Sequence, residues 1–310
     1  MGNQQSTTTA TSPSTMYTAS AASDVAAAAA TALTLHPTSN VKGQSFDRYV
    51  QIFFENQDYD IAEGDPNFSY LASLGVKLDN YWAITHPSQP NYVSALGADR
   101  NGVYLDDFAT IDADVETMID LLDAGGVSWS IYGEDMPYSG FEGNWENQET
   151  GANMYVRKHN PMMSYDSATG DVNRLAKAKN LTMFYEELAS NTLPQWMWIT
   201  PNMTSDGHDS SVTVAGEWAR AFIEPLLSNE NFNIDRTLVI LTWDECENYL
   251  IENRVLAILL GSAVPDSLVG TTNSTEFSHY SLSKTAEENW TLGSLGKGDV
   301  DANSLVMALG

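Results

Sequence analysis

The chain has 310 residues, with 14 Lys and Arg against 41 Asp and Glu, a formal net charge of −27. That balance argues against nucleic acid and anionic membrane as partners, because both are bound through clustered Lys and Arg. Hydrophobic residues at 43% and aromatics at 10% supply the core of one large domain or two small ones and exclude wholesale disorder. Residues 1–41 contain no Lys or Arg and are dominated by Ser, Thr and Ala, which reads as a flexible tail or processed leader. The alanine run at 26–30 is a weak signal-peptide core far from Met1, and Gly2 with Ser6 fits only the loose N-myristoylation pattern. Residues 42–310 are expected to form the functional domain.

From Phe46 onward, apolar runs of strand length alternate with stretches of helical period. This predicts an α/β fold with a mainly parallel central sheet flanked by helices on both faces. Strands are expected at 49–54, 76–82, 128–132, 195–200, 237–242 and 255–260. Helices are expected at 65–74, 90–96, 115–124, 183–189, 212–227 and 282–289, the first with Asp65-Pro66 as cap and first-turn proline. The Gly, Asn and Tyr-rich stretch 137–171 reads as a loop insertion, and Trp196, Trp198 and Trp243 as core. Cys246 is the only cysteine, so no intramolecular disulfide and no thiolate cluster can form. No apolar run approaches the roughly 20 residues of a membrane span. Five N-x-Ser/Thr sequons, at Asn67, Asn180, Asn202, Asn273 and Asn289, hint at a secretory route.

In an open α/β sheet, ligands bind beyond the carboxyl ends of the strands, so the residues after each apolar run are the ones to inspect. They are Glu55 to Asp58, His86-Pro87-Ser88, Asn202 to Asp209, and Asp244-Glu245. Carboxylates converging from separate strands repel unless protonated or bridged by a cation, so Glu55 and the Asp244-Glu245 pair point to a divalent metal. Asp58, Asp60 and Asp209 read better as caps or solvated loop residues. Four histidines, His86, His159, His208 and His279, sit in polar, turn-like segments beside chemically capable neighbours. Ser88 precedes a helix whose N-terminal amides favour an oxyanion, so it is either a nucleophile or a simple N-cap. Asn91, one turn on, is in reach of the same oxyanion. Arg157 and Lys158 form a rare basic spot that either guides an anionic substrate or is ordinary solvated charge. No Gly-x-Ser-x-Gly elbow, phosphate-binding glycine loop or dinucleotide fingerprint occurs.

Taken in order, Glu55-Asn56, HPSQPNY at 86–92, DGHD at 206–209, TWDE at 242–245 and SHYSL at 278–282 resemble the phosphoesterase family of the alkaline-phosphatase superfamily. The fungal secreted acid phosphatases are the most similar members. The resemblance runs from about Phe46 to the end of the chain. It implies a helix-sandwiched sheet, one divalent metal ion and a phosphoseryl intermediate. By position, Ser88 matches the nucleophile, and Glu55, Asn56, Ser88, Asp244 and Glu245 match the metal shell. Asn91 and His208 match phosphate-binding or leaving-group positions, and His279 and His159 match further site positions, so that His208 or His279 is expected to help the leaving alcohol and Asn91 and His159, with Arg157 from its basic spot, to bind substrate. Asp206 belongs either to the metal shell or to the orientation of His208. The expectation is therefore a secreted or cell-wall-associated, metal-dependent acid phosphatase acting on small phosphate monoesters. A phospholipase C-like phosphodiesterase and an inactive surface protein are the alternatives.

Overall fold

The computed structural model describes residues 21–234 and 236–310. In chain order its strands are β1 (Arg48–Phe54), β2 (Val76–Trp82), β3 (Trp129–Gly133), β4 (Trp145–Glu146), β5 (Asn153–Tyr155), β6 (Ala178–Asn180), β7 (Trp196–Thr200), β8 (Thr237–Trp243), β9 (Arg254–Leu260), β10 (Thr271–Asn273) and β11 (Phe277–Ser278). Nine of them form one sheet in the order β10-β2-β9-β8-β1-β7-β3-β6, with β11 also on β2, while β4 and β5 form a separate hairpin. β1 runs parallel to β7 and β8, and β3 runs parallel to β6 and β7. β9 is antiparallel to both β2 and β8. The sheet is thus mainly parallel with one reversed strand.

The continuous apolar runs of β1, β7 and β8 are buried at every position. That is what a strand covered on both faces requires. Successive side chains of a strand point to opposite faces. Phe53 meets Tyr92 of the helix Ser88–Gly97 at 5.5 Å between ring centroids, and its neighbour Phe54 meets Phe68 and Trp218 of the helices Pro66–Ser73 and Val212–Leu227 at 5.5 and 5.8 Å. Helices therefore cover both faces, as the alternating pattern predicts. Trp196, Trp198 and Trp243 are core residues, and Asp65 caps its helix by accepting from the Asn67 and Phe68 amides.

Three expectations are corrected. Residues 1–20 of the expected tail lie outside the described residues, but 34–41 are packed onto the body: Leu35 N–H donates to Ala176 O, His36 Nδ1 lies 2.7 Å from Glu187 Oε1, and Ser39 Oγ donates to Gln195. The polar composition of this strap conceals partners more than 100 residues away. The stretch 137–171 is not all loop; it carries the β4–β5 hairpin and the short turns Arg157–His159 and Pro161–Ser164. Finally, the sequons Asn202 and Asn289 are buried, and the Asn289 amide is engaged with Ser45 and Phe46. A glycan cannot be carried there. Among the described residues no helix is long and apolar enough to cross a membrane.

Because β1, β2, β7 and β8 point the same way, their carboxyl ends share one edge of the sheet. The loop 244–253, which turns back into the reversed β9, lies at that edge too.

Candidate active site

Helix Ser88–Gly97 starts at this edge, six residues after β2 ends. Ser88 is its first helical residue and Pro87 occupies the cap position, so the Ser88 hydroxyl is not spent as an N-cap. Residues four apart lie on one side of a helix, and Ser88 and Tyr92 accordingly meet the same partner. Ser88 Oγ donates to Glu55 Oε2 at 2.9 Å, and Tyr92 OH donates to Glu55 Oε1 at 2.5 Å. Glu245 Oε1 lies 3.5 Å from Ser88 Oγ. Asn56 is brought alongside by its backbone N–H, which donates to Asp244 Oδ1 at 3.0 Å. Glu55, Ser88, Asp244 and Glu245 are all buried, so the structure assembles the expected serine and carboxylates from the ends of β1, β2 and β8.

Asp206 and His159 join them from the end of β7 and the turn Arg157–His159. His159 Nε2 is 3.2 Å from Glu55 Oε1 and its Nδ1 is 3.7 Å from Asp206 Oδ2; the ring stacks on Tyr92 at 5.2 Å and 12°. Asp206 Oδ1 accepts the His208 backbone N–H at 2.8 Å, which orients that residue, and His208 Nδ1 is held 2.7 Å from Asp209. The His208 ring, 6.0 Å from that of His159, faces a pocket of about 430 Å³ also lined by Phe108, Lys158 and Met203.

The electrostatics follow from crowding acids away from water. Burial, reinforced by the Asp244 charge, holds Glu55 well above the usual carboxylate range. Burial and Glu245 do the same to Asp244, and burial and Glu55 to Asp206. Glu245 is pushed up to about 8 by burial, Glu55 and Asp106. Burial opposes the charge on Lys158, yet the facing Glu55 and Asp106 carboxylates outweigh it and hold the ammonium above its ordinary value. Burial, with Lys158 and His208 nearby, keeps the His159 ring neutral, well below its ordinary value.

Three predicted residues have other tasks. The Asn91 side chain is consumed in its own loop: Oδ1 accepts from the Ile84 and Thr85 amides, and Nδ2 donates to Thr85 O and Pro87 O. It shapes the turn before Ser88 and has no group left for an oxyanion. His279 is enclosed, with Nε2 2.6 Å from Asp244 O and Nδ1 3.2 Å from Tyr81 OH. It supports the Asp244 segment from behind and has no path to a leaving alcohol. Arg157 donates to Ala109 O and Met163 O and lies 4.1 Å over the Phe108 ring, so much of its guanidinium binds its own chain. Lys158 is instead the cation that faces the carboxylates. Tyr92 is part of the site outside the predicted set, and His86, one of the four singled-out histidines but given no role, joins it with Nδ1 2.5 Å from Glu245 Oε2. The i, i+4 spacing from Ser88 was the signal for Tyr92.

The carboxylates fit a hard cation. Asp244 Oδ2 and Asp206 Oδ2 are buried with no hydrogen-bond partner, and the surrounding donors are carboxylate, amide and hydroxyl oxygens, the chemistry that suits such ions. Among the described residues no three His, Cys, Asp or Glu side chains are already gathered for a metal ion. The donors brought together are the Ser88 hydroxyl and the Glu55, Asp244 and Glu245 carboxylates, with Asn56 held alongside through its backbone.

The profile of the Phosphoesterase family matches residues 3–293. The phosphate-repressible acid phosphatase of Penicillium chrysogenum is 49% identical over 92% of this chain and 68% of its own length. An acid phosphatase of Aspergillus fumigatus is 47% identical over 91% of this chain and 63% of its own. The chain thus spans about two thirds of the length of these relatives. Among solved structures, a protein of the alkaline phosphatase superfamily from Vibrio parahaemolyticus superposes with a TM-score of 0.53 at 10% identity, covering 91% of this chain and 78% of the other, which shows a shared fold.

Proposed function

Because this chain belongs to the phosphoesterase family of phosphoric-ester hydrolases, we propose that it is an acid phosphatase that hydrolyses small phosphate monoesters through a phosphoserine at Ser88. The observation that carries this reading is the Ser88 hydroxyl itself: buried, first in its helix, and 2.9 Å from the Glu55 carboxylate. Glu55, Asn56, Ser88, Asp244 and Glu245 would hold one divalent cation. When bound, such an ion lowers the pKa of a ligated hydroxyl and offsets phosphoryl charge.

The chain's own residues supply the rest. Ser88 Oγ, its proton directed at the Glu55 carboxylate, attacks phosphorus as the bond to the leaving alcohol breaks. His208, on the pocket side, gives that oxygen a proton. Lys158 attracts the phosphoryl group to a field otherwise dominated by carboxylates, and water then hydrolyses the phosphoserine. Tyr92 and His159 steady Glu55 meanwhile. Phosphoryl transfer asks mainly for this kind of positioning and charge stabilisation. The sequons at Asn67 and Asn273, half-buried rather than enclosed, support a secreted or wall-associated setting.

The test is hydrolysis of an aryl phosphate and a bis-aryl phosphate, each with and without chelator. Chelator-sensitive turnover of the monoester, with the diester slower, is expected. Preference for the diester would favour the phosphodiesterase, and no turnover of either would favour an inactive protein.

A further inference from the structure

The loop that carries Ser88 and the loop that carries Glu245 come from different strands, yet the chemistry needs their side chains fixed to within a fraction of an ångström. Asn253 accomplishes part of this: its side chain donates from Nδ2 to Thr85 O at 2.8 Å, and its carbonyl oxygen accepts the Ala83 N–H at 3.0 Å. These bonds fix the loops but leave the Glu245 side chain free to turn. Among the described residues one neighbour reaches its outer oxygen. His86, two residues before the serine, sets Nδ1 2.5 Å from Glu245 Oε2, while Glu245 Oε1 faces Ser88 Oγ at 3.5 Å and Tyr249 OH at 3.4 Å. The imidazole is itself held. The Tyr249 ring stacks on it at 4.0 Å and 29°, and the Cys246 thiol lies 3.9 Å from Nε2.

We propose that His86 is the positioning residue of this site: it fixes the Glu245 carboxylate against the Ser88 hydroxyl, with Tyr249 bracing the imidazole from the other loop. The inference rests on the phosphoesterase reading, with Ser88 as nucleophile and Glu245 as a cation ligand. Its physical basis is that a carboxylate held by a second residue loses less freedom when it engages an ion or a reacting hydroxyl, and loss of such a partner typically costs about 10- to 100-fold in metal affinity or activity. His86 makes no direct claim on the substrate. Its removal should therefore lower kcat and cation affinity with little change in KM for the ester.

The experiment compares wild type with His86→Leu, which keeps bulk without a donor, and His86→Asn, whose amide nitrogen stands near the Nδ1 position. Each protein is stripped with chelator and titrated with Mn²⁺ by calorimetry; kcat and KM for an aryl phosphate are then measured at saturating Mn²⁺, with circular dichroism as the check on folding. The expected result is an affinity for Mn²⁺ and a kcat each about tenfold or more lower in His86→Leu, KM within about twofold of wild type, and substantial recovery in His86→Asn. A folded His86→Leu protein with wild-type Mn²⁺ affinity and kcat overturns the proposal, as does a loss that His86→Asn fails to recover. If wild type binds no Mn²⁺ and turns over regardless, the cation reading fails separately, and the kcat loss with its recovery then decides the role of His86.

Discussion

Ser88, Tyr92 and Glu55 show how much two side chains on one helix face can settle: both hydroxyls converge on a single buried carboxylate. Asp106 adds a second lesson at this scale. Its Oδ1 accepts the Gln89 backbone N–H at 2.9 Å and its Oδ2 lies 2.7 Å from Lys158 Nζ, so a carboxylate occupies the amide and the ammonium that a phosphate oxyanion would use. Asp106→Asn is expected to tighten inhibition by inorganic phosphate by up to about tenfold, the size of one partly exposed charged hydrogen bond; weaker inhibition would show that Asp106 instead orients Lys158. The acids and the serine of the site were legible in the sequence, because each follows an apolar run that had to be a buried strand. What was not legible is whether a polar atom is already engaged. Asn91 and His279 lie in the motif strings that carry the resemblance, yet the hydrogen bonds of Asn91 close on its own turn and those of His279 are taken up by Asp244 O and Tyr81 OH.

At the scale of elements, the turn between β2 and the helix Ser88–Gly97 determines where Ser88 stands, and Asn91 holds that turn through four bonds. Asn91→Ala strands the Ile84 and Thr85 amides, so a loss of about 2–4 kcal/mol in unfolding free energy is expected, read from urea titration, with kcat falling as Ser88 shifts. An unchanged urea midpoint would contradict this account of the turn. The six long strands and their helices could be read from periodicity because their runs exceed four residues. β6, β10 and β11, of two or three residues each, are too short to carry a period and exist only by pairing with β3 and β2. The strap at 34–41 escaped notice for the related reason that its partners are remote.

For the whole molecule, the charge of −27 repels a phosphate ester, so activity should rise from pH 7.5 to pH 5 as surface carboxylates protonate, and added salt should narrow the difference. An alkaline optimum would contradict this. Stability should follow a related course. Burial opposes the charge on Asp47, but Arg236 outweighs it and holds the carboxyl below its ordinary 3.8; that contribution is complete above about pH 4 and is lost as pH falls through the folded value. Glu287, raised by burial from 4.5 to about 7, contributes fully below pH 4.5 and loses that contribution as pH rises toward 7. The cation-free protein is therefore expected to melt at its highest temperature near pH 4 to 5, and Glu287→Gln should flatten the decline from there to pH 7. A melting temperature still rising from pH 5 to pH 7 would refute this.

The central claim is a covalent phosphoryl group on Ser88. Rapid acid quenching of the enzyme during turnover of an aryl phosphate, followed by peptide mass analysis, should find one phosphoryl group on the peptide containing Ser88, and none in Ser88→Ala, which should also be inactive. Full turnover with no phosphorylated peptide, or full activity in Ser88→Ala, would contradict it.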